Sequence, residues 1–259
     1  MEGVTIVKFF RDGFFGYSSQ KDFYMGSIWH ILPIVIMIIV IFLIYKYREK
    51  IKNYKNERAV RFILAFVMMI VEMSFFWRLE YVGTQGVNDT LLTYLPIQMC
   101  QWGLIICIFT ITSMNKKLFS ISYYITLFFA SIALIYPLVI TETGPRYYRY
   151  YQFWLEHILP IISVFYLMFV HDMKPEKKGI LYTFIVTVPL TIVALIANRK
   201  IEGARYLYLT LDVKFLPQNM IIRVAVLFVL VLCVFYLMYL PFDKKNKQIK
   251  VEQKRKENN

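Results

Sequence analysis

Seven apolar stretches alternate with short polar links along the 259-residue chain. They run Ser27–Tyr45, Val60–Leu79, Leu91–Met114, Leu118–Ile140, Gln152–Val170, Ile180–Ala197 and Met220–Leu240. Crossing about 30 Å of hydrocarbon takes about 20 helical residues at 1.5 Å each. Each stretch is therefore predicted to be a membrane-spanning helix, and the fold class is all-α, a polytopic bundle of seven transmembrane helices. The links leave almost nothing for a separate soluble domain. The division is an interfacial segment over residues 1–26, a membrane domain over 27–241 and a basic tail over 242–259. In the first segment Phe9, Phe10, Phe14, Phe15, Tyr17, Phe23 and Tyr24 mix with Lys8, Arg11 and Lys21. That mixture suits the bilayer interface and lacks the uninterrupted apolar core of a signal peptide. Pro96 is predicted to kink the third span just before Cys100. Thr141-Glu-Thr-Gly-Pro145 reads as a turn. The link Asn198–Asn219, with Gly203, Pro217, Tyr206, Tyr208 and Phe215, reads either as a lid over a cavity or as an ordinary interfacial loop.

Composition agrees with the pattern. The chain is 58% hydrophobic and 18% aromatic, with a mean hydropathy of +0.51, too apolar for an ordinary soluble domain. A net charge of +13 raises nucleic acid as a partner, but the placement of the charge excludes it. Lys46 to Arg61 carries seven Lys/Arg, Lys116–Lys117 two, Lys174–Lys178 three and the tail after Asp243 seven, so 19 of the 30 lie on alternate sides of the spans. The positive-inside rule makes that side cytoplasmic. The amino terminus is then outside and the carboxyl terminus cytoplasmic. The basic segments also suit contact with anionic lipid headgroups.

Candidate chemistry is concentrated in one layer. Glu72, Cys100 and His157 lie in three different spans, about 10, 13 and 8 Å below the outer boundary. His30, Asn198 and Arg223 also fall in the outer half, and Gln98 and Gln101 flank Cys100. An intramembrane carboxylate is costly and is usually kept for function. A buried Cys alone is more often a small hydrophobe. With a base at matching depth it becomes a candidate nucleophile, because the thiolate is the reactive form. Glu72 needs a cationic or hydrogen-bonding partner at that depth, and His157, His30 and Arg223 are the outer-half candidates. The three cysteines, Cys100, Cys107 and Cys233, show no spacing typical of a disulfide or a zinc site. No GxGxxG, Walker or HExxH motif occurs, so no cofactor and no metal are expected.

The chain resembles the YwaF-like bacterial integral membrane proteins and their eukaryotic relatives, the transmembrane protein 164 type acyltransferases. The resemblance covers roughly Ser27 to Leu240. It rests on Trp29-His30, on Glu72 and Trp77, on Leu95-Pro96-Ile97-Gln98-Met99-Cys100, on Glu156-His157, and on Asn198 with Gly203-Ala204-Arg205-Tyr206-Leu207-Tyr208-Leu209. It departs from the family's usual residues at Gln98, Glu156 and Arg205. The resemblance implies a multi-pass protein of the cell membrane, in bacteria the plasma membrane. It also implies a cysteine–histidine lipid acyltransferase acting on membrane phospholipids through a thioester. On that reading Cys100 is the nucleophile and His157 the base, with Glu72 or Gln101 orienting the imidazole. Gln98, Asn198, Tyr206, Arg223 and His30 then line the substrate site. Two other classes compete: a small-solute transporter or receptor using Glu72, Arg223 and His157, and a non-catalytic assembly partner. Transport should survive Cys100→Ser, whereas thioester chemistry should not.

Overall fold

The computed structural model describes residues 13–16, 23–82, 94–137, 143–209 and 217–257. Among them the chain forms seven helices: α1 (Ile28–Lys52), α2 (Glu57–Val82), α3 (Met99–Ser113), α4 (Lys116–Ile135), α5 (Tyr148–Val170), α6 (Lys178–Lys200) and α7 (Met220–Glu257). All but α3 are long and apolar enough to cross a membrane. The third predicted span is thus a correction. Its helix has only 15 residues, about 22 Å of rise. Pro96 and the extended Gln98 stop it from continuing toward the amino terminus. Cys100 is therefore the second residue of a helix and not a mid-span position. The second and sixth spans run past both predicted ends, and the first and seventh past their carboxyl ends, because helix continues beyond the apolar run; the fourth ends at Ile135, short of Ile140, and residues 138–140 lie outside the described residues. The predicted basic tail is likewise a continuation of α7. Most of the interfacial segment (residues 1–12 and 17–22), the start of the Thr141–Pro145 turn and Phe215 lie outside the described residues.

Helix α5 is the centre of the bundle. It packs against α1, α2, α3 and α4, and its buried face carries Gln152, Glu156, His157 and Ser163 among apolar residues. A polar group in a spanning helix must face protein, since lipid offers no partner. The apolar parts of α1 and α7 are the opposite case, with Ile36, Phe42, Ile221 and Leu237 exposed to what is lipid in a bilayer.

Small residues bring the helices close, as is usual where lipid supplies no hydrophobic drive. A Cβ on Gly103 of α3 would stand 3.1 Å from the Thr126 hydroxyl of α4. Thr126 opens a π-helical stretch, Thr126–Ala130, and its hydroxyl meets the Cys107 sulfur at 3.2 Å. Thr110 and Ser122 share a second α3–α4 hydrogen bond of 2.7 Å. A Cβ on Gly179 would lie 2.4 Å from the Ser120 Cβ, so α6 enters directly on α4.

The ends with most Lys/Arg meet at one side of the bundle, where Glu57 and Arg61 together join α2, α3 and α5. Its carboxylate accepts from Arg61 Nε at 2.9 Å, Tyr166 OH at 2.8 Å and His171 Nε2 at 2.7 Å. Arg61 Nη1 in turn donates to the Ile111 carbonyl at 2.8 Å. Lys52 donates to Asp172 at 2.9 Å nearby. Gly179→Ala should therefore destabilise the bundle by about 1–3 kcal/mol, as overpacking does. The check is the melting temperature of detergent-solubilised protein. A Ser120→Gly background should recover part of the loss, and an unchanged melting temperature for Gly179→Ala alone would reject the close α4–α6 approach.

Candidate functional site

A set of hydrogen bonds to backbone groups holds the entry of helix α3. Asn198, near the end of α6, pairs twice with Tyr206: its Nδ2 donates to the Tyr206 carbonyl at 3.0 Å, and its Oδ1 accepts from the Tyr206 amide at 2.7 Å. The Tyr206 hydroxyl accepts from the Leu95 amide at 2.8 Å. Gln98 Oε1 accepts from the Leu207 amide at 3.0 Å. Leu207 has a φ of +54°, a conformation that costs a non-glycine residue about 1–2 kcal/mol; the bonds on either side hold it there. Trp102 Nε1 donates to the Pro96 carbonyl at 2.8 Å. These residues place the thiol: Cys100 follows two residues after Gln98, in the first turn of α3, where the amides of Cys100 and Gln101 approach its sulfur.

The partner groups come from α5. The Cys100 sulfur, a carboxylate oxygen of Glu156 and a ring nitrogen of His157 all lie within 4.8 Å of one another. His157 Nδ1 stands 2.7 Å from the Phe153 carbonyl. A carbonyl only accepts, so Nδ1 carries the proton and Nε2 keeps the free lone pair. The tautomer is thus set by the backbone of α5. Glu72 and Gln101, the expected orienting residues, are engaged with each other: Gln101 Nε2 donates to Glu72 Oε1 at 3.0 Å while its Oε1 accepts from the Gln98 amide at 3.3 Å.

Charge in the site is unbalanced. Glu72 is buried, and its Oε2 has no hydrogen-bond partner. It interacts electrostatically with Glu156 and Arg149. Glu156 Oε2 accepts from Gln152 Nε2 at 2.9 Å and faces Arg149 Nη1 at 3.5 Å, an ion pair without a hydrogen bond. The guanidinium lies over the Phe75 ring at 4.7 Å. Two carboxyl groups therefore face one guanidinium.

The structure thus brings together Cys100, His157, Glu72 and Gln101 and adds Glu156, Gln152 and Arg149. It uses the other predicted site residues for backbone holding. Gln98, Asn198 and Tyr206 form the α3 clamp. Arg223 donates to the carbonyls of Pro217 at 2.8 Å and Leu209 at 2.8 Å, so the cation beside Glu72 is Arg149. Arg78 donates to the Phe15 carbonyl at 2.7 Å. His30 donates from Nε2 to the Leu134 carbonyl at 2.8 Å and accepts at Nδ1 from the Gly26 amide at 2.9 Å, which ties α1 to the end of α4. The added residues carried a signal in the sequence: Arg149, Gln152 and Glu156 are spaced three and four apart, one face of a helix, and His157 adjoins it.

Asn198→Ala removes two hydrogen bonds to the Tyr206 backbone. Losing buried hydrogen bonds costs about 1–3 kcal/mol. The variant should melt lower in detergent by a corresponding margin, and wild-type melting would reject the clamp.

No curated protein and no solved structure matches the chain. The model of the TMEM164 family does match, over residues 23–239, which take in α1 to α6 and the apolar part of α7. The chain belongs to the TMEM164 family.

Proposed function

We propose that the protein is a membrane-embedded acyltransferase, or acyl hydrolase, that works on phospholipid or lipid-linked esters through a Cys100 thioester. One observation carries this reading: a thiol at the start of a helix stands beside an imidazole whose basic nitrogen is left free by the Phe153 carbonyl. A thiol in a low-dielectric site stays protonated without a base within reach. His157 Nε2 takes the thiol proton as the sulfur attacks the ester carbonyl carbon. The tetrahedral oxyanion faces the first-turn amide of Cys100, which has no partner within α3; the Gln101 amide is taken by the Gln98 side chain. When the intermediate collapses, the carbon–oxygen bond to the glycerol breaks. The imidazolium returns its proton to the departing alkoxide, leaving an acyl-thioester on Cys100. A second alcohol, or water, then attacks the thioester, and His157 again carries the proton.

Glu72, Glu156 and Arg149 act on this chemistry through charge. A carboxylate beside the imidazolium favours the charged ring formed during attack. Ester carbonyls of a glycerolipid lie at the headgroup–acyl boundary, and a site one or two turns below a helix end suits that depth. The unequal charge of the two ends motivates the orientation: the basic end cytoplasmic, the Cys100 end in the outer leaflet.

Cys100→Ser and His157→Ala should each lower lipid acyl transfer in reconstituted vesicles by about 10²–10⁴. Incubation of wild type with a labelled phospholipid should give a hydroxylamine-sensitive acyl mass on the peptide that contains Cys100. Turnover that persists in Cys100→Ser would sink the thioester mechanism, and solute uptake by the same variant would favour a transporter. A reporter active only in the cytoplasm, fused after Asn259, should give signal. Silence from a stably expressed fusion would reverse the orientation.

A further inference from the structure

Cys100, Glu156 and His157 present a sulfur, a carboxylate oxygen and an imidazole nitrogen within 4.8 Å of one another. Donors on a tetrahedral zinc stand about 3.5 Å apart, from bond lengths of about 2.0–2.3 Å, so a contraction of about one ångström closes the set. Each side chain is already held for the purpose. His157 Nδ1 donates to the Phe153 carbonyl, which fixes Nε2 as the donor atom for a metal and supplies the backbone partner that ligating histidines usually have. Glu156 Oε2 is held by Gln152 Nε2, which leaves Oε1 for a ligand. Glu72, 94% buried with an unpartnered Oε2, interacts with both Glu156 and the Cys100 sulfur. Two carboxyl groups and a thiol face one guanidinium, Arg149, so a divalent cation bound there replaces the thiol proton among acidic donors.

We propose that Cys100, Glu156 and His157 form a zinc site, with the fourth position open to Glu72 or to water. Thiolate and imidazole together select zinc over magnesium or calcium, which take oxygen ligands. Binding displaces the thiol proton to solvent: the S–H bond breaks as the S–Zn bond forms, and His157 binds through its neutral nitrogen. The metal then occupies both the thiol and the lone pair that acyl transfer needs. Zinc is therefore an inhibitor of the thioester reaction proposed above, although its binding requires no lipid and does not rest on that reaction.

The test uses the full chain, purified in detergent with its affinity tag removed. Titration with zinc chloride should show one saturable site of micromolar affinity or tighter by calorimetry. Cobalt chloride should give the near-ultraviolet thiolate-to-cobalt charge-transfer band. Cys100→Ser should abolish that band. Glu156→Gln, which keeps the side-chain shape, should weaken zinc binding by about tenfold or more. His171→Asn, at the opposite end beside Glu57, should leave it unchanged. Absence of saturable binding and of the band in the wild type overturns the proposal whatever the variants do. So does binding that survives both Cys100→Ser and Glu156→Gln, or that is lost in a folded His171→Asn. The two readings fail separately. Zinc binding without lipid turnover removes the acyl-transfer reading alone, and turnover without zinc binding removes this site alone.

Discussion

A helix that starts inside a membrane domain exposes backbone amides that lipid cannot satisfy. The start of α3 is held in place by the Asn198–Tyr206 pairing, the Tyr206–Leu95 bond and the Gln98–Leu207 bond. The first fixes the turn after α6 on α6 itself, and the other two join that turn to the entry of α3, which is distant in sequence. The rest of the site depends on this attachment. It sets the depth of Cys100, aims the first-turn amides at the sulfur, and puts Gln101 where one carboxamide reaches both the α3 entry and Glu72. A continuous span through Leu91 would have satisfied those amides internally and left no such group beside the thiol.

The second organising feature is charge. Glu72 and Glu156 come from different helices, and the cation near them is Arg149, which reaches Glu156 without a hydrogen bond. Separating two carboxylates and one guanidinium from water is favourable only if the excess negative charge is met by something. A proton, an imidazolium formed in catalysis or a bound cation would each meet it. The opposite end of the bundle shows the alternative arrangement. There a single carboxylate, Glu57, is matched by Arg61, His171 and Tyr166. That cluster is saturated and reads as a structural lock; the Glu72–Glu156 cluster is not saturated.

The apolar runs made the helices legible, since a spanning helix must be long and apolar whatever it packs against. Six of the seven predicted spans are long helices, and their centres lie where the hydrophobic pattern placed them. The third failed for a local reason: its apolar residues include Leu95, Pro96 and Ile97, of which only Ile97 is buried, in an irregular segment before α3, and hydropathy does not distinguish such a segment from a helix inside lipid. For the site, depth was enough to associate Glu72, Cys100 and His157. Depth does not report which way a side chain faces. Arg223, His30 and Asn198 were therefore grouped with the thiol although their bonds go to backbone atoms of loops and helix ends. Glu156 was read only as a departure from a family pattern, although its place four residues after Gln152 on α5 put it on the same buried face.

Glu156 is also where this chain differs most in chemistry from the resemblance it shows. A glycine before the histidine would leave thiol and imidazole as a two-member pair. A carboxylate there adds a third donor of the kind a metal takes, and a negative charge beside the ring. It also makes two demands on its surroundings that the helix itself meets. Gln152, one turn earlier, holds one oxygen, and Arg149, two turns earlier, supplies the cation. Pro160, one turn later, has no amide to give the Glu156 carbonyl, so this turn of α5 is the least constrained by its own ladder. On the two proposals the same residue would stand beside the imidazolium in a thioester reaction and would complete a three-donor set for zinc. The two proposed states would exclude each other, because both need the Cys100 proton removed and both need the His157 lone pair, so free metal concentration would decide between them.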